Sequence, residues 1–167
     1  MTFFEPTEPV ADRKEVFLRY LDYFRESALT KAGSLSEGAL RSSLLPSGWT
    51  PLELLQHLQY VELRWIEWGF EGRPVAEPWG DRRDDRWYVA ADRSLDDVTT
   101  ALRKQGAHTR ATVEAHDLAE IGAPGPRWDG APPASLERIL FHLLQEYARH
   151  LGHLDVVVEL SDGAVGE

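Results

Sequence analysis

Apolar residues return at helical spacing in four stretches of the chain. From Asp12 to about Ala32, the positions Val16, Leu18, Tyr20, Leu21, Phe24 and Leu29 predict a first helix, with Gly33 as its stop. Residues 50–70 predict a second, whose apolar stripe is Leu54, Leu58, Val61, Trp65 and Trp68. Its start is marked by Thr50-Pro51-Leu52-Glu53. The threonine caps, the proline suits the first helical position, and the glutamate completes a capping box. Ser94-Leu95-Asp96-Asp97 opens a third helix, which runs through Val98, Leu102, Thr109 and Val113 to about His116. The fourth begins near Ser135, sets Ile139, Leu143 and Val157 in the core, and closes at Asp162-Gly163. Four such helices with short and long connections predict an all-α four-helix bundle, one domain over residues 1–167.

The connections are uneven. Residues 34–48 contain Ser34-Leu35-Ser36-Glu37 and Pro46-Ser47-Gly48, a connector with one short turn of helix. Residues 73–93 form a much longer link between helices two and three, and links of that length are often functional. Its charge run reads first as solvated surface. The other reading is that Trp79, Arg82, Arg83, Arg86, Trp87 and Tyr88 line the entrance to a cleft. Residues 121–133, rich in Gly and Pro, predict a loop across the mouth of the bundle, anchored by Trp128. Gly152 interrupts the fourth helix at a cost of about 1 kcal/mol against alanine, which close packing against a neighbouring helix is expected to offset.

The chemistry concentrates on the fourth helix. Glu146 and His150 stand four residues apart, so their side chains leave one face a turn apart; His142 lies a turn earlier and His153 a turn later. A Glu and a His at this spacing are also an ordinary surface pair. His57, flanking the apolar stripe of the second helix, shifts the balance. One histidine from one helix with Glu and His from another makes a two-histidine, one-carboxylate set, which leaves positions on a divalent metal open to water or substrate. His108 and His116 have no partners at ligand spacing and read as structural or exposed.

Composition narrows the partners. The formal charge of -10 argues against nucleic acid and anionic membranes, which need clustered positive charge. Hydrophobic residues at 43% with six tryptophans exclude a disordered chain, and zero cysteines exclude disulfides and thiolate ligands. The N-terminal residues carry no basic and apolar signal pattern, and no window is apolar for long enough to span a bilayer, so a cytoplasmic protein is expected.

Trp49 to Leu58, with Glu62 and Trp65, resembles the first metal-ligand helix of the DinB superfamily of four-helix-bundle proteins. Phe141-His142-Leu143 and Glu146 to Asp155, ending near Asp162-Gly163, resemble the final helix of the branch related to mycothiol-dependent maleylpyruvate isomerase. The resemblance covers roughly the whole chain. It implies His57, Glu146 and His150 as metal ligands, with glutamate where many members carry a middle histidine. Two departures stand out: Asp155-Val156-Val157-Val158-Glu159 replaces an Asp-x-x-Arg-Glu pattern, and 167 residues leave no room for the isomerase's second domain. Arginine supplies 15 of the 18 basic residues, a bias that agrees with a GC-rich host that makes mycothiol.

The leading expectation is therefore an enzyme that uses a divalent metal to activate a low-molecular-weight thiol, mycothiol first, for transfer to an electrophile. Zinc heads the metals, with Ni, Fe and Mn as alternatives, because imidazole and carboxylate suit all four. His153 is the candidate base or hydrogen-bond partner. Arg149 is the candidate to hold Glu146 or a substrate anion, against an ordinary surface ion pair. Two alternatives stay open: a metal-dependent hydrolase acting without thiol, and a non-enzymatic, stress-related helical bundle. A homodimer is expected from the resemblance alone.

Overall fold

The computed structural model describes residues 5–162. The described residues are mostly helical, with helices α1 Arg13–Gly33, α2 Glu37–Leu40, α3 Pro51–Trp65, α4 Leu95–Ala115 and α5 Leu136–Asp162. Helix starts follow local chemistry. The Asp12 side chain accepts from the Lys14 N–H at 2.9 Å, and Thr50 with Glu53 and Ser94 with Asp97 close both bonds of a capping box. In the first connector the cap of α2 is Ser36, whose hydroxyl accepts from the Ala39 N–H. The Gly163 stop expected for α5 lies outside the described residues.

Helices α1 and α3 each pack along both α4 and α5. Leu21, Leu54, Leu58, Leu102, Ile139 and Leu143 meet there with less than 2% exposure, while Val16, at 39%, stays outside that core. No helix among the described residues is long and apolar enough to cross a membrane.

One buried polar group joins all four long helices. The Glu62 carboxylate on α3 accepts from Arg25 of α1 through Nε at 3.1 Å and Nη2 at 2.9 Å. It also accepts from the hydroxyls of Thr109 on α4 and Tyr147 on α5, each at 2.5 Å. A charge with no water around it is tolerable only when its lone pairs are occupied in this way. Gly106 on α4 leaves the space for the cation: a Cβ there would stand 2.4 Å from Arg25 Cζ.

The second long helix does not run regularly to Phe70. It ends at Trp65 and widens into a π turn, Ile66–Phe70, in which the Glu71 N–H donates to the Ile66 carbonyl at 2.9 Å. The Gly69 carbonyl in that turn accepts from Trp128 Nε1 at 3.0 Å, which anchors residues 121–133. Beyond the turn, Glu71 pairs with His108 of α4 at 3.0 Å and accepts from the Thr112 hydroxyl at 2.7 Å, so His108 ties α4 to the segment that follows the π turn. Burial works to raise the Glu71 pKa, but bonds from Thr112, His108 and Arg73 outweigh it and hold the carboxyl below its ordinary value. A lowered folded pKa means the network stabilises above the unfolded value of about 4.3 and loses that contribution as pH falls through the lower folded value. Glu71→Gln should therefore flatten the pH dependence of urea-measured stability below about pH 4.3.

Gly152 corrects an expectation. It is exposed, and a Cβ built on it meets nothing within 4 Å among the described residues, so none of the described helices packs closely there. The missing methyl is an uncompensated loss of helix propensity. Gly152→Ala should raise stability by about 1 kcal/mol in chemical denaturation; a loss would show that this turn needs its present freedom.

Candidate metal centre

His57 and Arg64 stand seven residues apart on α3, hence on one face two turns apart. Between their side chains lies Asp81, which is fully buried although it sits in the charge run that reads as solvated surface. Its Oδ2 is 2.8 Å from His57 Nδ1, and Arg64 donates to both its oxygens at 2.6 and 3.1 Å. Burial tends to raise the Asp81 pKa, yet the bonds from His57 and Arg64 prevail and hold it below the ordinary carboxylate value. An ionised carboxylate only accepts, so Asp81 fixes a proton on His57 Nδ1 and leaves Nε2 as the ring nitrogen that faces Glu146. Asp81 thus sets the tautomer.

The long connection is fastened so that Asp81 can reach the helix. Gln56 donates to the Tyr88 carbonyl at 2.7 Å and accepts from Arg93 at 2.8 Å. The backbone at Gly80 comes so close to α3 that a Cβ would lie 2.4 Å from the Tyr60 hydroxyl. The link also contains a hairpin that the sequence pattern did not reveal. Strands β1 Arg82–Arg83 and β2 Arg86–Trp87 pair antiparallel across Asp84 and Asp85, both at positive φ (51° and 59°), as a two-residue hairpin turn requires. The hairpin lays Trp87 flat on the His57 ring, 4.3 Å between centroids and 19° between planes.

Helix α5 brings up the remaining donors. Glu146 Oε2 lies 3.3 Å from His150 Nε2 and 3.8 Å from His57 Nε2, and one donor atom from each of the three residues falls within 4.8 Å of the others. His57 and His150 are buried and Glu146 is half-buried. Bonds to His150 and then His57 hold the Glu146 carboxyl far below the usual carboxylate range, against the opposing pull of burial. His150 Nδ1 is buried and finds no hydrogen-bond partner among the described residues. Two imidazoles and an anionic carboxylate converging on one point are compatible with a divalent metal site.

The other histidines of the α5 stripe separate. His142 Nε2 is 3.7 Å from Glu146 Oε1, with its ring 4.2 Å from that of Trp65; burial lowers its pKa and Glu146 offsets part of that. His153 is exposed rather than buried with the stripe, its ring 5.5 Å from His150 and 6.2 Å from Trp49. Partial desolvation, then the neighbouring His150 and Arg149, lower its pKa. Arg149 is exposed, and among the described residues the groups close to Glu146 are His150, His57 and His142 rather than this arginine. His116 pairs with Glu120 at 3.0 Å, away from the site.

Trp87 is shared with a groove of about 530 Å³ lined also by Trp49, Glu53, Arg83, Arg86 and Tyr88. Four of the six entrance candidates from the long connection therefore have a place beside the site: Arg83, Arg86, Trp87 and Tyr88. Trp79 and Arg82 stack on one another outside it, at 5.6 Å.

A mostly helical chain with a His₂Glu cluster between two of its helices defines a class, the helical proteins with an inward, metal-compatible donor set. The chain belongs to the Mycothiol-S-transferase family, a DinB-like family whose model matches residues 16–163. A search of curated proteins found no match.

Proposed function

We propose that this protein is a metal-dependent mycothiol S-transferase built as a four-helix bundle, with His57, Glu146 and His150 as the ligands. The observation that carries the reading is the convergence of these three donors in a chain whose family is described by the thiol it transfers. When bound, a divalent ion, zinc first and Ni, Fe or Mn as alternatives, lowers the pKa of a thiol and so supplies its nucleophilic form. Asp81 orients His57 and Trp87 shields that ring from water, while Glu146 contributes negative charge without first releasing a proton. His153, exposed beside His150, takes up the thiol proton in this reading, and Arg149 is free to meet a substrate anion. Self-association belongs to the same reading, carried by the family resemblance, and a cytoplasmic location is proposed with it.

The test is conjugation of mycothiol to a panel of electrophiles by zinc-loaded protein, with ester and amide substrates run in parallel. Product that requires added thiol supports the transferase. Turnover of the esters or amides without thiol, and no conjugate, would replace it with a hydrolase.

A further inference from the structure

Around Trp65, two arginines converge without an acidic partner among the described residues. Arg127 Cζ lies 4.4 Å from the Trp65 ring centroid and Arg138 Cζ lies 5.1 Å from it. Arg127 also sits 5.7 Å from the Trp128 ring, and Trp128 itself is fixed to Gly69. Among the described residues neither guanidinium has a hydrogen bond or ion pair, and the buried Nε of Arg127 is without any partner. Carboxylates are not scarce in a chain with 28 acidic and 18 basic residues. Elsewhere they find their arginines: Glu137 takes Arg13, Glu26 takes Arg103 and Asp22 takes Arg110. The arginines of the Trp87 groove differ, because Asp84, Asp85 and Glu53 line the same groove. Around Arg127 the charged neighbours are cations. Burial first, then Arg64 and Arg138, push its pKa below the ordinary value, and no acid offsets them.

The two cations also adjoin the proposed reaction centre. The Trp65 ring that carries them is 4.2 Å from the His142 ring, and His142 Nε2 is 3.7 Å from Glu146. One indole and one imidazole separate the guanidinium groups from the donor cluster. A planar guanidinium over an indole, with its N–H fork unengaged, suits bidentate recognition of a carboxylate next to an aromatic or unsaturated carbon frame.

We propose that Arg127 and Arg138, with Trp65 and Trp128 as walls, form the subsite for the electrophile, and that this electrophile carries a carboxylate. The proposal rests on the transferase reading for the identity of the bound molecule, but the anion site itself does not. For an aryl chloride acid the reaction balances without a redox partner. The C–S bond forms, the C–Cl bond breaks with its electron pair leaving as chloride, and the thiol proton passes to His153 and from there to solvent.

The experiment uses zinc-loaded full-length protein. Calorimetric affinities for 4-nitrobenzoate and its neutral isostere 4-nitrobenzamide are compared in wild type, Arg127→Gln, Arg138→Gln, the double variant and Arg127→Lys. Arg138 is exposed, so its substitution tests the site even if the change at Arg127 disturbs the loop. Wild type should prefer the benzoate roughly tenfold to hundredfold, from charge-assisted hydrogen bonds. The preference should fall in each glutamine variant and vanish in the double one. Equal affinities in wild type, or a preference that survives in the double variant because the carboxylate sits on the metal instead, overturn the proposal. Turnover of 4-chloro-3-nitrobenzoate against 4-chloro-3-nitrobenzamide with mycothiol separates the two readings. Arginine-dependent benzoate binding with neither chloride conjugated would sink the transferase and leave the anion site. Conjugation of both chlorides with no charge preference would sink the anion site and leave the transferase.

Discussion

Glu62→Ala is expected to remove about 3–5 kcal/mol of folding stability, the usual cost of stripping one partner from a buried ion pair. The substitution leaves the Arg25 guanidinium, 4% exposed, facing a cavity instead of a carboxylate. The hydroxyls of Thr109 and Tyr147 lose their acceptor at the same time. Because the four donors and acceptors come from α1, α3, α4 and α5, the loss is felt by every long helix rather than at one contact. Gly106→Ala attacks the same place by crowding, since the added methyl collides with the guanidinium of Arg25, and should cost about 1–3 kcal/mol. Urea unfolding of both variants checks the pair. A Glu62→Ala loss below about 1 kcal/mol would mean that water reaches the site and solvates Arg25.

Metal content should collapse in His57→Ala, Glu146→Ala and His150→Ala, each of which removes one of three donors. Asp81→Asn is the more discriminating change. Asparagine keeps the shape but can turn its amide N–H toward His57, so Nδ1 is no longer compelled to hold the proton. Loss of such an orienting partner typically lowers metal affinity about 10–100-fold. Metal analysis of untagged protein, followed by competition with a chromogenic chelator, reads both effects. Near-stoichiometric zinc in wild type and none in the three alanine variants is the expected pattern. Wild type that takes up no zinc on refolding would remove the metal from the mechanism and favour the non-enzymatic reading.

The helices were legible because they rest on local rules. Thr50 and Ser94 cap with their own third neighbours, and the apolar stripes of α3 and α5 need only a 3.6-residue period to be seen. The placing of Glu146 and His150 on one face follows from the same period. What escaped was non-local. Asp81 meets His57 across 24 residues of chain, and its neighbours Arg82, Arg83, Asp84 and Asp85 make it look like part of a solvated run. The available signal was the Gly80-Asp81 pair: a glycine where a loop presses against a helix, followed by an acid. The π turn at Ile66–Phe70 escaped because one residue added to a turn leaves the apolar pattern of Trp65, Trp68 and Phe70 intact. Glu62 was visible as a motif residue, but its four-helix role needs Arg25, Thr109 and Tyr147 in space.

The link between α3 and α4 touches His57 twice, through Asp81 at one ring nitrogen and Trp87 on one ring face. Loops accept insertions and deletions far more readily than helices do. Here a change of length need not disturb the helix packing to matter, because it shifts the group that fixes a proton and the ring that bars solvent. Divergence within such a chain could therefore retune its chemistry by editing a surface segment, with every donor residue left in place.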